Sequence, residues 1–246
     1  MDSNVKSFLS DLKELNDANI VKIQVPSTGK KVPFTLMSIN QQKKLIRSAF
    51  DGVDGIVERA NILNNIITDN SKSDVEFLLT DKNSILLNLR KKSIGSVLKI
   101  DGEMYDIADL PELDKTEFKL TDTLSTDSIT VDVKVPTLKL DSEINTKLEK
   151  ELAKIQKEDE KVKQSVDIVI SYEITKYVDT VTIGDVAVKF DDISAYERKE
   201  IVLNLPLALN NKILEYIATV KKATDKTITF SEEVVVEFDA SFLSTD

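Results

Sequence analysis

The hydrophobic periodicity of this chain changes twice, and those changes limit the folds open to it. Up to Gly95 apolar residues recur mainly at helical spacing. From Val97 to Val133 they fall into short alternating runs separated by polar turns, and from Asp141 helical spacing returns. A surface helix needs an apolar stripe of period about 3.6 and a half-buried strand needs period 2, so neither an all-α nor an all-β fold accommodates the pattern. The reading is α+β: helical N- and C-terminal parts with short antiparallel hairpins and an inserted small β module. Three segments follow: 1–95, an N-terminal hairpin plus helices; 96–140, the β module; and 141–246, helices with a closing hairpin.

Local signals place the elements. Val5, Phe8, Leu9, Leu12 and Leu15 form a helical stripe over residues 3–16, with Asp2 or Ser3 as its cap. That segment reads equally as a docking arm or as a first helix packed on its own core. Ile20–Val25 and Lys31–Leu36 are strands around the turn Pro26-Ser27-Thr28-Gly29-Lys30. Ser38-Ile39-Asn40-Gln41 is a capping box opening a helix through Phe50, with Asp51-Gly52 ending it. Further helices are expected from Gly55 to Thr68, and from Thr80 or Asp81 to the basic run Arg90-Lys91-Lys92, with Gly95 as the stop. Strands are expected at 97–100, 103–107, 117–120 and 128–133, with Asp101-Gly102 a strong hairpin turn. Asp141 or Ser142 would cap a long helical stretch to Ser165. Glu143–Lys147 and Glu151–Lys154 are its surface pairs, and mostly helix, with a kink, follows towards Val178. A hairpin over 181–190, helices from Ser194 to Leu205 and from Pro206 to Lys221, and a hairpin of 227–230 with 234–238 complete the chain.

Composition narrows the chemistry. There is no Cys and no His, so the commonest general acid–base residue and the usual zinc ligands are missing. The net charge of −10 opposes nucleic-acid binding over most of the surface. The first residues lack the basic and apolar regions of a signal peptide. No stretch approaches the roughly 20 apolar residues of a membrane span. The expectation is a protein used in a cytoplasm or carried out of the cell inside a larger particle. Ser27-Thr28-Gly29-Lys30-Lys31 is not a phosphate loop, because Gln24 stands where the first Gly is needed and Lys31 where Ser or Thr must follow. Asp51-Gly52-Val53-Asp54-Gly55 fails as a calcium loop, with Val53, Gly55 and Ile62 at ligand positions. Acidic pairs such as Asp191-Asp192 point apart on a strand. No catalytic residue, cofactor or metal is expected, and the protein is read as not an enzyme. The candidate partner interface is the apolar stripe at Phe8, Leu12 and Leu15 together with Arg90, Lys91 and Lys92. The basic cluster reads equally as compensation of a helix C-terminal dipole.

Several motifs occur in an order that resembles a known family. They are Val25-Pro26-Ser27-Thr28-Gly29-Lys30-Lys31-Val32-Pro33-Phe34 ahead of a helix, Leu89-Arg90-Lys91-Lys92-Ser93-Ile94-Gly95, Leu203-Asn204-Leu205-Pro206, and Phe238-Asp239-Ala240-Ser241-Phe242. Together they resemble the baseplate hub and hub-assembly family of T-even-type bacteriophages. Relatives can carry Cys-x-x-Cys in the β module, and here Asp101-Gly102-Glu103 stands in that place, so a zinc site is not carried over. The resemblance implies a structural or assembly protein of a contractile-tail baseplate hub, acting by contacts with other hub and tail proteins in a hetero-oligomeric assembly. It would be found in the host cytoplasm during assembly and in the virion if retained. Two alternatives stand beside it: a transient assembly chaperone absent from the mature virion, and a carboxylate-dependent hydrolase.

Overall fold

A computed structural model describes residues 3–48, 52–154, 158–239 and 241–243. In chain order the elements are α1 (Ser3–Ala18), β1 (Ile20–Gln24), β2 (Lys31–Thr35), α2 (Ile39–Ser48), α3 (Gly52–Asn70), α4 (Lys82–Ser93), β3 (Val97–Ile100) and β4 (Glu103–Asp106). They continue with β5 (Thr121–Ser125), β6 (Ile129–Lys134), α5 (Leu138–Leu152), α6 (Glu158–Tyr177), β7 (Val178–Ile183) and β8 (Val186–Lys189). The last are α7 (Ala195–Leu203), α8 (Leu207–Lys226), β9 (Thr229–Ser231) and β10 (Val234–Val235). The fold is α+β, and every pairing among the described strands is antiparallel. Asp2, Phe50 and Asp51, expected at helix ends, lie outside the described residues.

The local signals act as their chemistry requires. In the box opening α2, the Gln41 N–H donates to Ser38 Oγ at 3.3 Å and the Ser38 N–H donates to Gln41 Oε1 at 2.9 Å. Ser194 and Glu197 repeat the arrangement ahead of α7. Asp101 and Gly102 both take positive φ, 51° and 90°, as the tight turn between β3 and β4 demands. Gly95 ends α4 with φ 134°, a value that L side chains rarely adopt.

Tertiary contacts moved several boundaries. Thr137, not Asp141 or Ser142, caps α5, its Oγ1 accepting from the Leu140 N–H at 3.1 Å. Asp141 is instead buried one turn inside. The expected strand at 117–120 is irregular, and β5 begins at Thr121. The carbonyls of Lys119 and Leu120 accept from the Tyr216 hydroxyl at 2.9 and 3.0 Å, and Phe118 turns into the core. The stretch from 141 divides into α5 and α6. Glu151 reaches Lys199 of α7 and the Tyr172 hydroxyl rather than serving only a surface pair with Lys154.

The strand pairing crosses the expected division at residue 140. β5–β6–β7–β8 form one four-stranded sheet, so the hairpin at 121–134 pairs with a hairpin more than forty residues on, while β3–β4 pair separately. Val131, Val133 and Val181 supply one face of that sheet to a core with Tyr177 of α6, Val202 of α7 and Leu209, Ile213 and Ile217 of α8. The other face is polar: Thr123 donates to Asp132 at 2.7 Å, and Lys134 bridges Asp179 and Asp191. A second core joins β1, β2, α2, α3 and α4 to Leu138, Val236, Phe242 and Leu243. A smaller cluster of Ile144, Leu148, Leu152, Tyr172 and Ala195 lies between α5, α6 and α7, with Val57 of α3 packed on it.

Candidate partner interface

The turn Pro26–Lys30 holds its shape for an internal partner. Asp81, fully buried ahead of α4, accepts from the Ser27 N–H at 2.7 Å, from Ser27 Oγ at 2.7 Å and from the Leu78 N–H at 2.9 Å. Burial pushes the Asp81 carboxyl above its ordinary range, against the lowering effect of those three donors. The donors that would cradle a phosphate in a phosphate loop are here aimed at a carboxylate, which anchors the β1–β2 turn to α4.

Arg90 is likewise directed inward, with only 4 % of its surface exposed. Its Nε donates to the Phe242 carbonyl at 2.7 Å, Nη2 to the Val97 carbonyl at 2.8 Å, and Nη1 to the Gly95 carbonyl. The guanidinium also lies 5.9 Å from the centre of the Phe242 ring. It was expected on a partner surface; instead its planar fork fastens the α4–β3 turn to the tail at 241–243. Ser93 of the same run accepts from the Met37 N–H at 3.0 Å. Lys91 and Lys92 remain exposed. Lys91 borders a recess of about 510 Å³ between the Pro26–Gly29 turn, α4 and the segment around Leu110 and Lys115.

A chain of alternating charges, which no spacing in the sequence signals, ties the two halves together. Lys176 of α6 is buried and reaches Asp141 at 2.7 Å, Glu173 at 2.8 Å and Asn145 Oδ1 at 2.8 Å. Asn64 of α3 donates to the other Asp141 oxygen at 2.7 Å, and Glu173 meets Lys221 of α8 at 2.8 Å. Burial raises both carboxyl pKa values, but the lysines outweigh it, leaving Asp141 and Glu173 below the usual range. Catalytic carboxyl pairs need values pushed apart, and these two are pushed the same way. Lys82 of α4, beside them, donates to the Ala60 carbonyl at 3.2 Å. Burial first, and repulsion from Lys176 second, bring it down to about 8, against the pull of Asp141.

The apolar stripe of α1 is the clearest surface feature. Val5, Phe8, Leu9, Leu12 and Leu15 are between 40 % and 63 % exposed. Every described α1 side chain from Asn4 onward is exposed, although the helix runs beside β2. Of the predicted interface residues, the structure therefore places Phe8, Leu12, Leu15, Lys91 and Lys92 on the surface and Arg90 inside. Among the described residues no group of three or more carboxylates is arranged to hold a metal ion, and no helix is long and apolar enough to cross a membrane.

Comparison with known proteins sets these features in a family. No curated protein and no solved structure matches the chain. The family model described as T4 bacteriophage base plate protein matches residues 18–237, which run from the end of α1 to just beyond β10. That match takes in the Ser27–Asp81 anchor, Arg90 itself and the Lys176 charge chain, while Phe242, which accepts from Arg90, lies just past its end. The chain belongs to the T4 bacteriophage base plate protein family.

Proposed function

We propose that this baseplate protein works at the central hub of a contractile tail, as a structural or assembly component acting through protein–protein contacts. The observation that carries the reading is the division of labour among its motifs. The Pro26–Lys30 turn, the Arg90 fork and the tail are committed to internal anchoring, while an apolar helix stripe and the Lys91–Lys92 pair are left on the surface. Internal anchors with exposed apolar anchors suit a part that must hold its shape and bind neighbours. The acidic surface, with net charge −10, supports solubility of the free subunit before it is built in. On this reading the protein acts in the host cytoplasm during assembly and in the virion if it is retained.

Quantitative mass spectrometry of purified hub intermediates and of intact virions tests the proposal. Presence in both marks a retained subunit. Presence in intermediates alone marks a transient assembly chaperone. Absence from both ends the hub reading.

A further inference from the structure

We propose that α1 docks as a helix into an apolar groove on another baseplate subunit, with basic residues on the rim that receives its C-terminal half, and that it becomes stable only there. The inference rests on the hub reading above and names the chemistry of one contact within it. A helix of 16 residues that buries none of its described side chains lacks the packing that normally stabilises helices, and one of this length is marginal in water. Its exposed apolar residues, Val5, Phe8, Leu9, Leu12 and Leu15, stand at the i, i+3, i+4, i+7 spacing by which a helix lays its face into a groove.

Charge identifies the rim. Lys6 stands in the first turn, whereas Asp11 and Glu14 stand in the second half with one lysine, Lys13, and the sequence adds Asp17 in the last turn. Within Ser3–Ala18 the first turn holds no acidic residue and the last turn no basic one, so Lys6 and Asp17 oppose the helix dipole rather than complement it. Cations on a partner would relieve the second half. An anionic membrane surface would repel it.

Area excludes a bare pair of α1 helices. Five half-exposed side chains offer roughly 400 Å² per helix, about half of the ~800 Å² that each partner gives to a standard interface. A groove that also encloses the flanks supplies the remainder. A second copy of this chain would bring its own −10 charge with it.

The test uses the full-length protein and each purified baseplate subunit of the same phage. Hydrogen exchange on the protein alone should show α1 amides exchanging at least about 100-fold faster than those of α4. One subunit should slow them. Leu12→Asp should weaken that complex about 100-fold without moving the thermal midpoint of the free protein, because Leu12 supports no core. Glu14→Lys should weaken it by roughly 3–10-fold and flatten its salt dependence. Four results overturn the proposal: α1 already as protected as α4 in the free protein, concentration-dependent dimers abolished by Leu12→Asp, binding to phosphatidylglycerol vesicles abolished by Leu12→Asp, or tight binding of a subunit that Leu12→Asp leaves unchanged. The last leaves the baseplate contact standing and removes only α1 from it. If no subunit binds at all, the hub reading falls with it.

Discussion

Replacing Arg90 with Met separates an anchoring role from a surface role. Methionine keeps the aliphatic stem in place and removes all three donors. The Phe242 carbonyl lies in the core and has no route to water, so it bears the full cost of a lost partner, about 1–3 kcal/mol. The Gly95 and Val97 carbonyls lie on a partly exposed turn and rehydrate, adding about 1 kcal/mol between them. The expected loss is therefore about 2–4 kcal/mol, a large part of the ~5–15 kcal/mol that holds a typical domain folded. Lysine at position 90 should recover only part of it, because one ammonium cannot span three carbonyls set in a plane. Urea unfolding followed by circular dichroism at neutral pH reads the effect. With a slope of roughly 2–3 kcal/mol per molar, the midpoint should fall by about 1 M. Lys91→Met, one residue along and exposed, should stay within about 0.5 kcal/mol of the parent. If Arg90→Met unfolds at the same urea concentration as Lys91→Met, the anchoring argument is wrong.

The charge chain and the β1–β2 turn give further tests. Lys176→Met leaves Asp141 buried, and Glu173 half-buried, without their shared cation and should cost about 3–5 kcal/mol by the same assay, with Asp141→Asn in that background restoring part of the loss. Lys82 has its folded pKa lowered to about 8 from 10.5, so the unfolded state binds more protons between those values and stability should rise with pH across that window. Lys82→Met should remove that rise and, at pH 7, stabilise by about 1–2 kcal/mol after losing the bond to Ala60; a stability that stays flat from pH 8 to 10 in the parent contradicts the argument. Ser27→Ala removes one of three donors to Asp81 and should cost about 1–2 kcal/mol, and combining it with Asp81→Ala should cost clearly less than the two single losses together.

What the sequence by itself determined were the features decided within a few residues. The capping box at Ser38, the helix start at Ser194, the turn at Asp101-Gly102, the stop at Gly95 and the α+β class all depend on contacts that close inside one turn of chain. The stripe on α1 was legible for the same reason, since 3.6-residue periodicity is a local property. The tertiary structure decided the rest. Arg90, Lys91 and Lys92 are indistinguishable as a basic run at a helix end, and only the arrival of the 241–243 segment turns Arg90 inward while its neighbours stay in water. The pairing of β6 with β7 joins residues about fifty apart, with two helices between them, and no turn chemistry encodes it. Asp141 could cap a helix by its residue type, yet it is buried because Lys176, more than thirty positions on, meets it there. Hydrogen bonds and ion pairs between distant segments leave no periodicity in a single chain, so their partners become visible only once packing has brought them together.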